Sequence, residues 1–326
     1  MLKELYTISL IKDYLQECKI LPKETKSIND IYNFFVYLND NLQSFNTLYI
    51  FNYLYNFVSS DEVAKRKTSA RVFEDMLAIL FNGIVSDTKE RKNLSYQVPN
   101  YFNNVKDKIA SNRREKADII FENYSISLKT LMQDNQEINM GSFEKSVLFD
   151  SLKVDDYLNE RKSKSGAGLG SKSQLLKLFS IIETLSSWEK FSDKFNAMIN
   201  FIYADDLLIA VKNDKLMNLY FLSGSELINI FKDLSINKNE LLKIVNRYEG
   251  NSLRIDRNML FEKCNKKLEL DFSYLDSTII ESINKMDLKL HKNYAHYFNS
   301  NDKEKIKKDS IKSLKDLFNE FDKALV

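Results

Sequence analysis

The stretch Ala117-Asp118-Ile119-Ile120-Phe121-Glu122-Asn123-Tyr124-Ser125-Ile126-Ser127-Leu128-Lys129 reads as two short antiparallel strands joined by a loop. With Glu122 to Ser125 as the loop, Asp118 lies opposite Lys129 and Ile120 opposite Ser127. Strand alternation then sets Asp118, Ser127 and Lys129 on one face. Ile119, Phe121, Ile126 and Leu128 occupy the other. An apolar back with a carboxylate and an ammonium in front suits a hard metal ion and a water beside a phosphate.

Outward from this stretch, the chain reads as a mixture of helices and few strands. Residues 1–60 are rich in Leu, Tyr and Phe and read as helices. From Ser69 to Phe81 the apolar residues Val72, Phe73, Met76, Leu77, Leu80 and Phe81 follow the helical period, with Glu74 and Asp75 beside the stripe and Gly83 as the stop. Residues 147–160 read as helical, and 163–173 form a Gly/Ser-rich loop before an amphipathic helix. A second hairpin is expected from Leu207–Val211 and Leu216–Leu222, and the chain from Ser225 onward reads as mostly helical. The expected fold is α/β (α+β): a small central mixed sheet wrapped by many helices. The chain reads as a helical N-terminal region (1–60), a core (61–225) and a helical C-terminal region (226–326).

The 326 residues can bury a sizeable core, and 44% apolar with 29% charged residues fits a globular chain. No apolar run reaches the roughly 18–20 residues that cross a bilayer. The start lacks a secretory profile, and Cys18 and Cys264 lie far apart, which together point to the cytoplasm. A net charge of +2 does not indicate nucleic acid by itself. Local clusters say more: Lys65-Arg66-Lys67 with Arg71, Arg113-Arg114 with Lys116, and Arg161-Lys162 with Lys164 and Lys172 flank the opening stretch. Each alone is an ordinary solvated face; together they are candidates to line a phosphate-binding cleft.

Three other signals are weaker. Tyr203-Ala-Asp-Asp206 is similar to a polymerase metal-binding turn, but no upstream aspartate strand accompanies it; its plain reading is a loop whose acids cap the second hairpin. Gly166-Ala-Gly-Leu-Gly170-Ser-Lys172 lacks the Gly-Lys adjacency of a phosphate-binding P-loop. His291 and His296 are five apart and read as helix-surface residues, which leaves histidine-centred chemistry aside.

The helix with Glu74, the strand acid Asp118 and the Ser127-Leu128-Lys129 triplet together resemble the PD-(D/E)XK nuclease superfamily, and bacterial type II restriction endonucleases in particular. The likeness spans residues 69–131. It implies a Mg²⁺-dependent endonuclease that cuts double-stranded DNA at a short specific site, leaving 5′-phosphate and 3′-hydroxyl ends. Asp118, Glu74 and the Leu128 carbonyl would be the metal ligands. Lys129 would orient or deprotonate the attacking water. Ser127 stands where the family carries an acid; as a catalytic residue it would ligate weakly or through water, or a carboxylate would come from Glu74, Glu137 or Glu144. Arg113, Arg114, Lys162, Lys164 and Lys172 are the candidate DNA contacts, with base readout sought in the 163–173 loop, the second hairpin and the C-terminal helices. A homodimer and a cognate DNA methyltransferase follow from the same likeness. The competing reading is a non-catalytic helical module that binds DNA or protein, with Asp118 and Lys129 as a structural ion pair.

Overall fold

The computed structural model describes residues 2–60, 69–85, 117–121, 123–143, 145–160, 169–203, 206–213, 215–249 and 252–325. Their order along the chain is α1 (Leu2–Glu17), α2 (Ile28–Asp40), α3 (Phe45–Leu54), α4 (Ser69–Leu80), β1 (Ile84–Val85), β2 (Ile119–Ile120), β3 (Ser125–Met132) and β4 (Glu137–Ser142). Four helices follow: α5 (Lys145–Leu148), α6 (Asp155–Glu160), α7 (Lys172–Leu185) and α8 (Trp188–Ile202). Then come β5 (Asp206–Lys212), β6 (Leu216–Leu222), α9 (Gly224–Leu234), α10 (Lys238–Ile244), β7 (Val245–Glu249) and β8 (Ser252–Asp256). The chain closes with α11 (Arg257–Glu262), β9 (Lys266–Asp271), α12 (Ser277–Asn299) and α13 (Lys303–Leu325). The fold is mixed α+β, as expected.

Two compact units share this chain: residues 1–132, 209–219 and 268–326 form one, and 133–208 with 220–267 the other. Composition can delimit only consecutive segments, whereas these units gather separated ones.

A six-stranded sheet runs in the order β1-β2-β3-β5-β6-β9, its first three strands within the first unit. In that unit α1 lies against α4, α12 and α13, and α3 against α12 and α13. The side chains that fill these contacts are large and fully buried, among them Tyr6, Phe51, Phe73 and Phe81. Tyr49, Tyr53 and Asp287 form a polar knot inside the bundle. Both tyrosine hydroxyls donate to the same Asp287 Oδ1, Tyr53 at 2.9 Å. His291, one helical turn on, brings Nε2 to 4.0 Å from that oxygen. His291 is therefore not a surface residue: the α12 face that carries Asp287 turns it into the bundle. The side chain of His296 lies outside the described residues.

The end of α4 bears directly on the strands. Asn82, not Gly83, takes the left-handed conformation (φ 55°). The Gly83 N–H then reaches back to the Ala78 carbonyl at 2.7 Å, closing the helix. Asn82 is held there by donating to the Lys23 carbonyl and accepting from Lys12, both at 3.0 Å. Gly83 is required for a different reason. A Cβ on it would stand 2.6 Å from a Phe121 ring carbon and 2.7 Å from Ile119 Cγ2. Gly83→Ala is accordingly expected to destabilise by about 1–3 kcal/mol, the usual cost of overpacking. Urea unfolding of the variant would measure it.

The second unit holds a three-stranded antiparallel sheet in the order β4-β8-β7. Ile138, Met140, Leu253, Ile255 and Tyr248 bury its inner face. Tyr203 and Tyr248 pin this core by donating to the Met140 and Phe143 carbonyls. The helix expected over 147–160 is broken into α5 and α6, because Ser151 (φ 56°) and Lys153 (φ 57°) adopt left-handed backbone between them.

Candidate active site

The hairpin β2–β3 forms, in a register different from the expected one. Ile119 pairs with Ile126 and Ile120 with Ser125, two residues away from an Asp118–Lys129 pairing. The cause is a shorter loop. The Phe121 N–H donates to the Tyr124 carbonyl at 2.7 Å, and the two rings stack with centroids 5.4 Å apart. A two-residue slip preserves side-chain parity, so Ile119, Phe121, Ile126 and Leu128 are still the buried face.

Asp118 meets β3 through a β-bulge. Its N–H donates to the Ile126 carbonyl at 2.9 Å, although Ile119 is the register partner of Ile126. Two residues thus oppose one, a distortion that re-aims the side chain at the strand end. The carboxylate turns along β3, and Oδ2 accepts the Leu128 N–H at 2.7 Å. The same oxygen lies 3.9 Å from Lys129 Nζ. The acid and the lysine therefore come together by the bulge and not by facing each other across the ladder.

The energetics separate two roles. An ion pair at this distance, with both side chains about a quarter exposed, contributes only about 0.2–1 kcal/mol. The bond to the Leu128 N–H fixes the carboxylate's orientation and leaves Oδ1 without a protein partner among the described residues. Because a strand residue points its N–H and C=O to the same edge, the Leu128 carbonyl also points past the end of β2.

The other predicted residues are placed as follows. Glu74 is half-buried on α4, which packs against β1, β2 and β3. Ser127 shares the face of Lys129 by alternation but is buried, and the Leu128 side chain is buried on the opposite face. Glu137 lies on β4 in the second unit and is paired with Arg247 at 2.8 Å. Glu144, Arg113, Arg114, Lys162 and Lys164 lie outside the described residues. Lys172 is exposed at the start of α7, where Ser171 is the N-cap. The second hairpin forms as β5–β6; Leu207 to Val211 on β5 are all buried, and Leu216, Asn218 and Tyr220 on β6 are part-exposed. Asp206 accepts the Gly224 N–H at 2.9 Å and thereby holds the start of α9, a structural duty for the acid of the Tyr203–Asp206 segment.

One lysine was not singled out from the sequence because it reads as a turn residue. Lys212, at the end of β5, is 3% exposed, and burial pushes its ammonium down to about 8. β5 is the neighbour of β3 in the sheet.

Among the described residues no three histidine, cysteine, aspartate or glutamate side chains come together as a metal-ligating group. The donors that the described hairpin offers are the Asp118 carboxylate and the Leu128 carbonyl, with Glu74 on the helix packed against it. Hard oxygens of this kind fit magnesium, which binds through one or two carboxylates and otherwise keeps waters and phosphate oxygens.

No family model matches the chain, and no curated protein is significantly similar to it in sequence. Among solved structures, a restriction endonuclease in complex with substrate DNA superposes over 76% of this chain and 90% of its own, with 12% identity and a TM-score of 0.33. A superposition of that quality assigns neither activity nor family. Among the described residues no helix is long and apolar enough to cross a membrane.

Proposed function

We propose that the protein is a Mg²⁺-dependent endonuclease that hydrolyses phosphodiester bonds in double-stranded DNA, acting as a type II restriction enzyme at a short specific site. One observation carries this reading: a bulge at the end of β2 brings the Asp118 carboxylate against the Leu128 N–H and within 3.9 Å of Lys129 Nζ. The weak ion pair has little structural worth, so placing an acid and a lysine at a strand end suits chemistry better than stability.

Phosphodiester hydrolysis needs an in-line water and relief of negative charge on the phosphate oxygens. Asp118 would hold the cation, joined by the Leu128 carbonyl and by Glu74 directly or through water. When bound, the cation neutralises phosphate charge and makes a bound water more acidic. Lys129 orients the attacking water and stabilises charge on the phosphate as a preorganised donor. Ser127 adds no charge, so the site carries one acid fewer than the family's triplet. The two-fold symmetry of a short site would be matched by a homodimer, and a cognate methyltransferase would protect host DNA.

The direct test is supercoiled plasmid incubated with purified protein. Discrete fragments are expected with Mg²⁺, and none after chelation by EDTA. Intact plasmid across many DNA substrates and divalent metals would overturn the reading.

A further inference from the structure

The outer face of the β4-β8-β7 sheet carries a row of hydrogen-bond donors, of which the fold uses one. Asn139 pairs with Arg254 and Arg254 with Arg247, so the three lie side by side across the strands. Alternation turns them away from the core, since Ile138, Met140, Leu253 and Ile255 fill the inner face. Arg247 is neutralised: it donates to Glu137 at 2.9 Å and lies 3.4 Å from Glu249. Arg254 has no hydrogen bond or ion pair among the described residues, and its Nε is buried without a partner. Asn139 spends its carboxamide oxygen on the Gly141 N–H at 2.9 Å, which leaves its NH₂ group as a donor. The row therefore offers donors at its centre, while the nearby carboxylates are spent: Glu137 and Glu249 on Arg247, and Asp256 on capping α11 through the Met259 N–H.

A donor row of this kind takes a ligand edge that presents acceptors. A guanine–cytosine pair presents guanine O6 and N7 as acceptors and cytosine N4 as a donor in the major groove. A guanidinium with no protein partner among the described residues fits the guanine edge in bidentate fashion. A pair of antiparallel strands is also an element that the major groove admits. We propose that this sheet face reads a guanine–cytosine pair of double-stranded DNA, with Arg254 as the guanine contact. The inference rests on the reading of the protein as a DNA endonuclease and adds to it a specificity-determining residue.

The test selects bound duplexes from a random-sequence pool, in Ca²⁺ to hold off cleavage, using wild-type protein, Arg254→Ala and Arg254→Lys. Wild type is expected to enrich a motif that contains guanine. Arg254→Ala should lose preference at one guanine position by roughly 10- to 100-fold, the range of one bidentate contact. Arg254→Lys should keep overall affinity without restoring that preference, because an ammonium lacks the planar fork. An unchanged motif in Arg254→Ala overturns the assignment. So does a loss spread evenly over all sequences with a shallower salt dependence, which marks a phosphate contact. Failure of wild type to bind any duplex overturns the DNA reading itself, whereas plasmid cleavage with an unchanged Arg254→Ala motif overturns only this contact.

Discussion

Lys129→Ala is expected to lower plasmid cleavage by about 10²–10⁴-fold, the range typical of a positioned proton-transfer or oxyanion-stabilising group. Asp118→Asn should fall at least as far. Each removes one side of a 3.9 Å contact whose structural value is under about 1 kcal/mol. Unfolding midpoints should therefore barely move while activity collapses. Initial nicking rates over a range of Mg²⁺ concentrations separate the two residues. Extra Mg²⁺ should partly restore Asp118→Asn, because the carboxamide oxygen is a poorer ligand in the same place, and should do nothing for Lys129→Ala. Equal rates in wild type and both variants would show that the pair is structural.

The second large effect concerns the bundle and not the chemistry. Asp287→Ala leaves the hydroxyls of Tyr49 and Tyr53 without their shared acceptor in a buried site. At about 1–3 kcal/mol for each buried hydroxyl that loses an acceptor, the loss should reach at most about 2–6 kcal/mol, less what the Tyr49–Tyr53 hydroxyl contact retains. Asp287→Asn behaves differently, because its oxygen can still accept from both hydroxyls. Burial raises the Asp287 carboxyl above its ordinary 3.8, outweighing the tyrosine hydroxyls and His291, which act the other way. A raised folded-state value means that this group's stabilisation is fully present below 3.8 and is lost as pH climbs through the folded value. The stability of Asp287→Asn relative to wild type should therefore grow from pH 4 toward pH 7. Urea midpoints at several pH values check it, and a difference that shrinks with pH would contradict the assignment.

How much of this was legible beforehand depended on whether the signal was local. The helical period of Val72 to Phe81 gave α4, and the alternation at Leu216–Leu222 gave β6, since both patterns lie within one element. The faces of the site hairpin were also readable, because parity survives a two-residue slip. Its register was not. The loop closed through the Phe121–Tyr124 hydrogen bond, and the bulge at Asp118 has no sequence mark of its own. Strands β7, β8 and β9 were missed in a segment read as mostly helical, β1 in one read as polar, and β4 in one left unread. Gly250-Asn251 between Tyr248 and Leu253 was a hairpin signal that could have found β7 and β8. The polar knot at Asp287 could not have been found, since Tyr49 and Asp287 are 238 positions apart and only the folded bundle joins them.

That separation has a counterpart in synthesis. The buried Tyr6 hydroxyl donates to Ser310, 304 positions along the chain, and α1 packs on both α12 and α13. The ribosome releases the Asp118–Lys129 hairpin long before it makes the helices that complete the hairpin's unit. By residue 267 the second unit has all of its chain, while the first still lacks its last 59 residues, 268–326. Contacts of such range close late and slowly. A nascent chain would thus carry the Asp118–Lys129 hairpin before the helices that pack on α1 exist, and on the endonuclease reading proposed above activity would appear only after those helices dock.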